Sequence, residues 1–208
     1  MDASPTTDDA TASSGRKRPR PGERRLQILQ TIAAMLQEGA AEKVTTAALA
    51  ARLGLSEAAL YRHFASKAQM FEGLLDFIEE TVFSLINQIE SRPGPAAVRG
   101  QEIILMLLGF AEKNPGMTRV LIGDAIVNED SRLQARVNQL LDRVEASLRQ
   151  CARMHQAEAG NAPETVDPSL RSAMAMAFVQ GRWLQFAKSG FRRRPTEGAE
   201  AVAAFILS

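Results

Sequence analysis

The sequence predicts an all-α protein in which a small three-helix unit is followed by a larger helical body that ends in dimerisation helices. From Gly22 onward, apolar residues recur at three- and four-residue spacing, and no stretch alternates apolar and polar residues as a strand does. Glycine and proline divide the helical stretches at Gly54 and at residues 92–95, 114–116 and 167–168.

The composition is that of a globular protein. The chain has 208 residues, of which 45% are hydrophobic and 24% are charged, so it is long enough to bury a core. No run reaches the ~20 uncharged apolar residues of a membrane span, and the N-terminus lacks the apolar stretch of a secretory signal. We therefore expect a cytoplasmic protein with no membrane partner.

Residues suited to catalysis are sparse. The chain has two histidines far apart and one cysteine, which excludes a disulfide framework and a multi-cysteine zinc site. No glycine-rich phosphate loop follows a strand pattern, and no nucleophile lies near a base in the sequence. We expect no enzymatic activity, no metal and no cofactor.

The N-terminal residues 1–21 are predicted to form a disordered basic arm, because they have almost no large apolar side chain. Residues 1–67 carry ten Lys or Arg against seven Asp or Glu, whereas residues 68–208 carry fifteen against seventeen. The positive charge is densest between Arg16 and Arg25. This cluster is interpreted either as an arm that meets a polyanion or as a solvated tail.

The first helix is predicted at about Glu23 to Glu38, and Gly39 ends it. Its apolar positions are spaced to form one stripe. They are Leu26, Leu29, Ile32, Ala33 and Leu36.

Two short helices joined by a tight turn are predicted between residues 45 and 64. The hydroxyl of Thr45 or Thr46 can cap the first of them, and Gly54 makes the turn. Ser56 caps the second, which ends near Phe64. A small core is expected beneath both helices. It consists of Leu49, Leu55, Leu60 and Phe64.

The remaining helices are predicted to form the body. Ser66 caps a fourth helix that reaches about Glu90, where prolines break the chain. Five more helices are predicted, at about 96–113, 117–122, 130–157, 168–189 and 196–207. The helix at 130–157 has a coiled-coil-like pattern that a core-facing helix explains equally well. The last two helices have more apolar surface than one body needs, which predicts a homodimer.

The pattern at about 45–64 is typical of a helix-turn-helix, whose second helix presents its first turn to the major groove of double-stranded DNA. That turn consists of Ser56, Glu57 and Ala58. These side chains offer few bidentate base contacts, so we expect the arm or the DNA shape to contribute to sequence reading. The predicted set also includes Thr45 and Thr46. Polar side chains that follow are expected to hold phosphates, and they are Tyr61, Arg62, His63 and Lys67.

This stretch resembles the signature of the TetR family. It reads Val-Thr-Thr from 44, Leu-Gly-Leu-Ser from 53, Leu-Tyr-Arg-His-Phe from 60 and Ser-Lys from 66. The resemblance implies a TetR-like fold with a DNA-binding domain at 22–82 and a regulatory and dimerisation body at 83–208. It implies that Tyr61, His63 and Lys67 touch phosphates, and that a homodimer reads a pseudo-palindromic site with one or more dimers on each site.

Matches beyond the DNA-binding domain resemble the nucleoid occlusion factors, a family that antagonises FtsZ division rings over the chromosome. They include Phe-Ile-Glu from 77, Leu-Leu-Gly-Phe from 107 and Asn-Pro-Gly from 114. The resemblance implies a nucleoid-associated protein that binds the FtsZ C-terminal tail. The implied FtsZ-binding residues are Phe77, Ile78, Lys113 and Asn114. The sequence departs from the family at Leu85, where a basic residue is expected.

Two functions remain open at this point. From the pattern alone, Phe77 and Ile78 are core positions, and Lys113 and Asn114 are a helix end and its cap. The alternative function is a TetR-family repressor gated by a small molecule. A well-filled body favours nucleoid occlusion, and a large apolar pocket with a few polar groups favours the repressor.

Overall fold

A computed structural model describes residues 22–38, 44–127, 129–160 and 166–207, which form helices and turns and no strand. This confirms the predicted all-α class. The helices are α1 (Glu23–Glu38), α2 (Thr46–Leu53), α3 (Glu57–Tyr61), α4 (Lys67–Glu90), α5 (Ala96–Lys113), α6 (Pro115–Leu121), α7 (Ser131–Glu158), α8 (Pro168–Lys188) and α9 (Ala199–Leu207). The predicted arm at residues 1–21 lies outside the described residues. No described helix has the length and apolar content needed to cross a bilayer.

The head consists of α1, α2 and α3 packed on the start of α4. Its buried side chains come from all four helices and include Ile32, Leu49, Leu60, Phe64 and Phe71. Burying these apolar groups stabilises helices that are too short to be stable alone. The predicted core beneath α2 and α3 is therefore present, with Leu55 packed at its edge.

The apolar stripe of α1 differs from the prediction at one position. Leu26 is 45% exposed, whereas Ile28, which the prediction left out, is fully buried. The reason is that α1 packs on three helices, α2, α4 and α6, so its buried surface is wider than a single stripe.

Helix α3 is shorter than predicted, since it ends at Tyr61 rather than near Phe64. The amides of His63 and Phe64 both donate to the carbonyl oxygen of Leu60, at 2.9 and 3.1 Å. These bonds close a turn that directs the chain into α4. Small differences of this kind also occur at α6, which begins at Pro115, and at α9, which begins at Ala199.

The body is organised around α5, which packs against α4, α7, α8 and α9. Trp183 of α8 is buried against it and donates from Nε1 to the carbonyl oxygen of Leu107 at 3.2 Å. The long α7 packs on α4, α5 and α8 within the same chain. Its heptad-like pattern is therefore explained by a core-facing helix.

The head and the body meet at α4 and at α6. Helix α4 runs unbroken across the predicted boundary between residues 82 and 83. Helix α6 packs on α1 so closely that a Cβ added at Gly116 would lie 1.9 Å from the carbonyl oxygen of Ala33. Only glycine permits this approach, because any side chain would overlap the backbone of α1.

Candidate nucleic-acid interface

The turn between α2 and α3 is built by backbone hydrogen bonds and one left-handed residue. Gly54 has φ 64° and ψ 38° and donates to the carbonyl oxygen of Ala51. The amide of Leu55 donates to Ala50 at 2.9 Å. Both helices are capped as predicted, since Thr45 accepts from Ala48 and the following cap is a serine. The two helices are thereby held in a helix-turn-helix arrangement.

The first turn of α3 is presented to solvent. Ser56 accepts from the amide of Ala59 at 3.2 Å and, with Glu57 and Ala58, is exposed. The hydroxyl of Thr46 donates to Oε2 of Glu57 at 2.6 Å, which fixes the carboxylate across the two helices. A held carboxylate can accept from the amino group of a cytosine, so Glu57 offers a hydrogen-bond acceptor on a surface of otherwise small side chains.

The polar residues after α3 surround its C-terminal end. Tyr61 and Arg62 are exposed and His63 is half-buried. Arg25 of α1 donates to the carbonyl oxygen of His63 and lies 4.1 Å from the centre of the Phe64 ring. Arg25 therefore stabilises this turn by contacts from α1. The sequence interpretation grouped Arg25 with the arm and did not predict these contacts.

Lys67, the first residue of α4, is half-buried and donates from Nζ to Oε1 of Glu129 at 2.6 Å. Glu129 lies in the turn before α7. The neighbouring Asp130 caps α7, and hydrogen bonds from Arg132 lower the pKa of Asp130 to about 2. The cap therefore stays charged even in mildly acidic solution, and it lies next to Glu129 in the chain. No local sequence signal connects Lys67 with a residue 62 positions away.

Another basic residue of the head is neutralised within the protein. Arg52 of α2 makes two hydrogen bonds to the carboxylate of Glu38, and its side-chain hydrogen bond lowers the pKa of Glu38. Within the described head, Arg62 is exposed, whereas Lys67 is already paired with Glu129. The exposed first turn of α3 and the guanidinium of Arg62 are suited to a DNA groove and its flanking phosphates.

The four residues implied as the FtsZ-tail site lie in different environments. Phe77 is 38% exposed on α4, and Lys113 is exposed at the end of α5. Asn114 is half-buried and donates from Nδ2 to the carbonyl oxygen of Phe110 at 2.8 Å, so it caps α5. Ile78 is fully buried in the core. Its side chain is not on the surface, because adjacent residues of a helix point about 100° apart.

Two family models match this chain, one at the head and one in the body. Residues 28–74 match the model of the bacterial regulatory proteins of the tetR family. Residues 95–208 match the SlmA-like model, described as a tetracyclin repressor-like C-terminal domain. The two models together cover the helix-turn-helix and most of the body.

Curated relatives match over most of their length. The chain is 48% identical over 174 residues to the nucleoid occlusion factor SlmA of Alteromonas mediterranea, covering 84% of this chain and 89% of the relative. It is 45% identical over 179 residues to the nucleoid occlusion factor SlmA of Escherichia coli K12, covering 86% of this chain and 90% of the relative. Among solved structures, the MbdR regulator from Azoarcus sp. CIB has a TM-score of 0.74 at 17% identity, covering 88% of this chain and 96% of that one, which shows the fold.

Proposed function

The chain belongs to the SlmA family of TetR-type nucleoid occlusion factors, and from this membership we propose that it binds specific chromosomal sites and antagonises assembly of the FtsZ ring there. In this proposal the protein acts in the cytoplasm, on the nucleoid. The observation that carries the proposal is the 48% identity to a nucleoid occlusion factor, which extends over both the head and the body.

The DNA contacts proposed for the head follow from its exposed polar side chains. Ser56, Glu57 and Ala58 enter the major groove, and Thr45 and Thr46 lie at the start of the supporting helix. The groups proposed for the phosphates are Tyr61, Arg62, His63 and Lys67. Small side chains at the start of α3 let the backbone approach the bases, while the cations add a salt-dependent attraction.

The proposed site for the FtsZ tail is the surface where α4 and α5 pack together. A cavity of about 270 Å³ opens there, and its lining is apolar at Leu85, Ile89, Leu105 and Met106 and polar at Gln88, Arg92 and Glu102. Apolar and charged groups along one groove suit a peptide that has both apolar and acidic side chains. Phe77 and Lys113 are the exposed residues proposed to contact it, whereas Ile78 supports the groove from the core.

Leu85 makes the proposed groove more apolar than the family pattern implies. The family pattern has a basic residue here, but Leu85 lines the cavity as part of its apolar wall. Gly109 of α5 adds no side chain, and a Cβ built there has no neighbour within 4 Å. We propose that the peptide makes apolar contacts at Leu85 and that its acidic groups are held at the Lys113 end.

The proposed homodimer uses the outer faces of α8 and α9. Large apolar side chains are exposed on these two helices, an arrangement that favours burial against a second copy. They are Leu170, Met174, Leu184, Val202 and Phe205. Two-fold association would place two reading heads on one pseudo-palindromic site. The distance between its half-sites would match the distance between the two heads.

A repressor gated by a small molecule is the second candidate, and one cavity bears on it. Between α6, α7 and α8 lies a space of about 280 Å³ with leucines on some sides and the amides of Gln134, Asn138 and Gln180 on others. It is smaller than most ligand sites, which measure roughly 300–1,000 Å³. Its mixed lining does not favour the small apolar effector of the alternative, for which a large apolar pocket with a few polar groups is expected.

Binding of FtsZ with and without cognate DNA tests the proposal. An operator duplex is selected from random sequence with the purified full-length protein, and FtsZ polymers are then sedimented with the protein alone and with the complex. We expect the protein to sediment with FtsZ and to reduce the polymer mass when DNA is bound. Absence of FtsZ binding in both samples would overturn the proposal in favour of a simple repressor.

A further inference from the structure

A positively charged loop joins α8 to α9 at residues 189–198, and the surfaces proposed above leave it unused. From residue 182 to residue 197 the chain has five basic residues and one acidic residue, whereas residues 68–208 as a whole have a net charge of −2. The basic residues are Arg182, Lys188, Arg192, Arg193 and Arg194. Together, the loop and the adjoining end of α8 form a local concentration of positive charge, the basic loop, on a body that is otherwise acidic.

Hydrogen bonds hold this basic loop in a defined conformation. The guanidinium of Arg182 donates to the carbonyl oxygen of Pro195 at 3.0 Å and also to that of Glu197. The hydroxyl of Ser189 accepts from two backbone amides of the loop, at 3.1 and 2.8 Å. A loop that is already ordered loses less conformational entropy when it binds a partner.

The basic loop is anchored at the end of α5. Nε of Arg194 donates to Oε1 of Glu112 at 2.7 Å, and the hydroxyl of Thr196 donates to the other carboxylate oxygen. Glu112 directly precedes Lys113, the cation proposed to hold the FtsZ tail. The anchoring therefore places the loop beside that end of the proposed peptide groove.

Part of the loop's charge is available to a partner. Lys188, Arg192 and Arg193 are exposed, and within the described parts of the chain no carboxylate forms an ion pair with them. A cleft of about 350 Å³ lies beside the loop, and it is lined by three arginines, Arg182, Arg193 and Arg194, together with Gln185 and Glu197. An excess of arginines around a cleft is suited to carboxylate or phosphate groups.

The packing of the helices favours carboxylates over the phosphates of DNA. Phe191 of the loop lies against Arg119 of α6, 5.1 Å from ring centre to guanidinium. Helix α6 packs on α1, and α1 packs on α2, which carries α3. The contacts that lead from the loop to α3 thus pass through α6, α1 and α2, so the loop lies on the body rather than on the reading helices.

We infer that the basic loop binds an acidic polypeptide segment of the same partner whose tail occupies the groove beside Lys113. The inference rests on the proposed function and adds to it a second contact, which is electrostatic and lies outside the groove. Arg192 and Arg193 attract the carboxylates, while Arg182 and Arg194 hold the loop in place. Because these contacts are exposed, they are screened by salt.

The test compares full-length FtsZ and an operator duplex as ligands for the full-length protein. Arg193→Gln is expected to weaken FtsZ binding about threefold at low salt, and Arg192→Gln/Arg193→Gln about tenfold, since exposed charges contribute modestly to affinity. Both losses should shrink as salt is raised toward 0.5 M, and the affinity for DNA should be unchanged.

Arg153→Gln is the matched control. It removes one exposed positive charge from the C-terminal end of α7, outside the basic loop, and should leave FtsZ binding within about twofold of the wild type. Equal FtsZ affinity in the wild type and the double variant would overturn the inference alone. A loss of DNA affinity in the double variant would also overturn it, because the loop would then contact phosphates. If the wild type does not bind FtsZ, the proposed function and the inference both fail.

Discussion

Lys67, at the start of α4, forms an ion pair with Glu129 of the body. Nζ of Lys67 lies 2.6 Å from Oε1 of Glu129, and both side chains are partly buried. Lys67 is the first residue of α4 and is proposed to hold a phosphate. The DNA phosphate and the carboxylate of Glu129 would then compete for the same ammonium group. Under that proposal, DNA binding shares or breaks the contact between Lys67 and the turn before α7.

We expect Glu129→Gln to strengthen DNA binding about threefold at low salt, because it removes a competing negative charge near the phosphates. Lys67→Gln should weaken DNA binding and lower the slope of log affinity against log salt. Titration of both variants with one duplex at several salt concentrations measures these changes. Weaker binding by Glu129→Gln would mean that the pair positions Lys67 for DNA rather than competing with it.

Gly116→Ala should disrupt the packing of α6 on α1, where the head meets the body. The new Cβ would lie 1.9 Å from the carbonyl oxygen of Ala33, and neither backbone can move without shifting a helix. We expect a loss of about 1–3 kcal/mol in the free energy of unfolding, together with weaker DNA binding. Gly109→Ala is the control, since its Cβ meets open space. It should leave stability unchanged or raise it by up to about 1 kcal/mol. Equal melting curves for both variants would contradict this account of the joint.

Lys113→Glu is expected to separate the two proposed binding activities. The substitution replaces an attractive charge with a repulsive one at the end of α5, so affinity for an FtsZ tail peptide should fall at least about tenfold. DNA affinity should hardly change, because the head keeps its contacts. A paired titration against tail peptide and operator duplex checks both expectations. Unchanged peptide affinity would exclude Lys113 from the site.

Phe205→Glu should weaken the proposed homodimer. Phe205 is 75% exposed on α9, so the substitution does not disturb the core of one protomer, but it places a charge in the expected apolar interface. Sedimentation velocity at micromolar concentration should show monomers for this variant and dimers for the wild type. Val127→Glu, at a comparably exposed position outside α8 and α9, should remain dimeric. A dimeric Phe205→Glu variant would place the interface elsewhere.

Cys151 should be unreactive in the folded protein. Burial raises the pKa of its thiol from 9.0 to about 11, so the reactive thiolate is scarce at pH 8. A thiol whose pKa is raised on folding contributes stability below pH 9, and that contribution is lost as the pH rises toward 11. Labelling by a disulfide reagent at pH 8 should be slow in buffer and fast in denaturant. Fast labelling in buffer would show that α7 opens readily.

The local structure of the head could be predicted from the sequence because its determinants lie close together along the chain. Thr45, Gly54 and Ser56 each act within four residues of their partners, through a side-chain cap or a left-handed turn. The TetR-type signature therefore identified the helix-turn-helix, and the matches beyond it identified the family. The bounds of α1 and α4 followed from the same kind of local signal.

Tertiary packing decided which side chains are available to a partner. Phe77 and Ile78 are adjacent apolar residues of one helix, yet only the packing of α4 on α5 and α7 determines that the first is exposed and the second is buried. Lys67 meets Glu129, which is 62 positions away, because α4 and the turn before α7 are brought together by the whole body. Hydrophobic period and capping act over a few residues, whereas these contacts depend on how complete helices pack, which the sequence pattern does not specify.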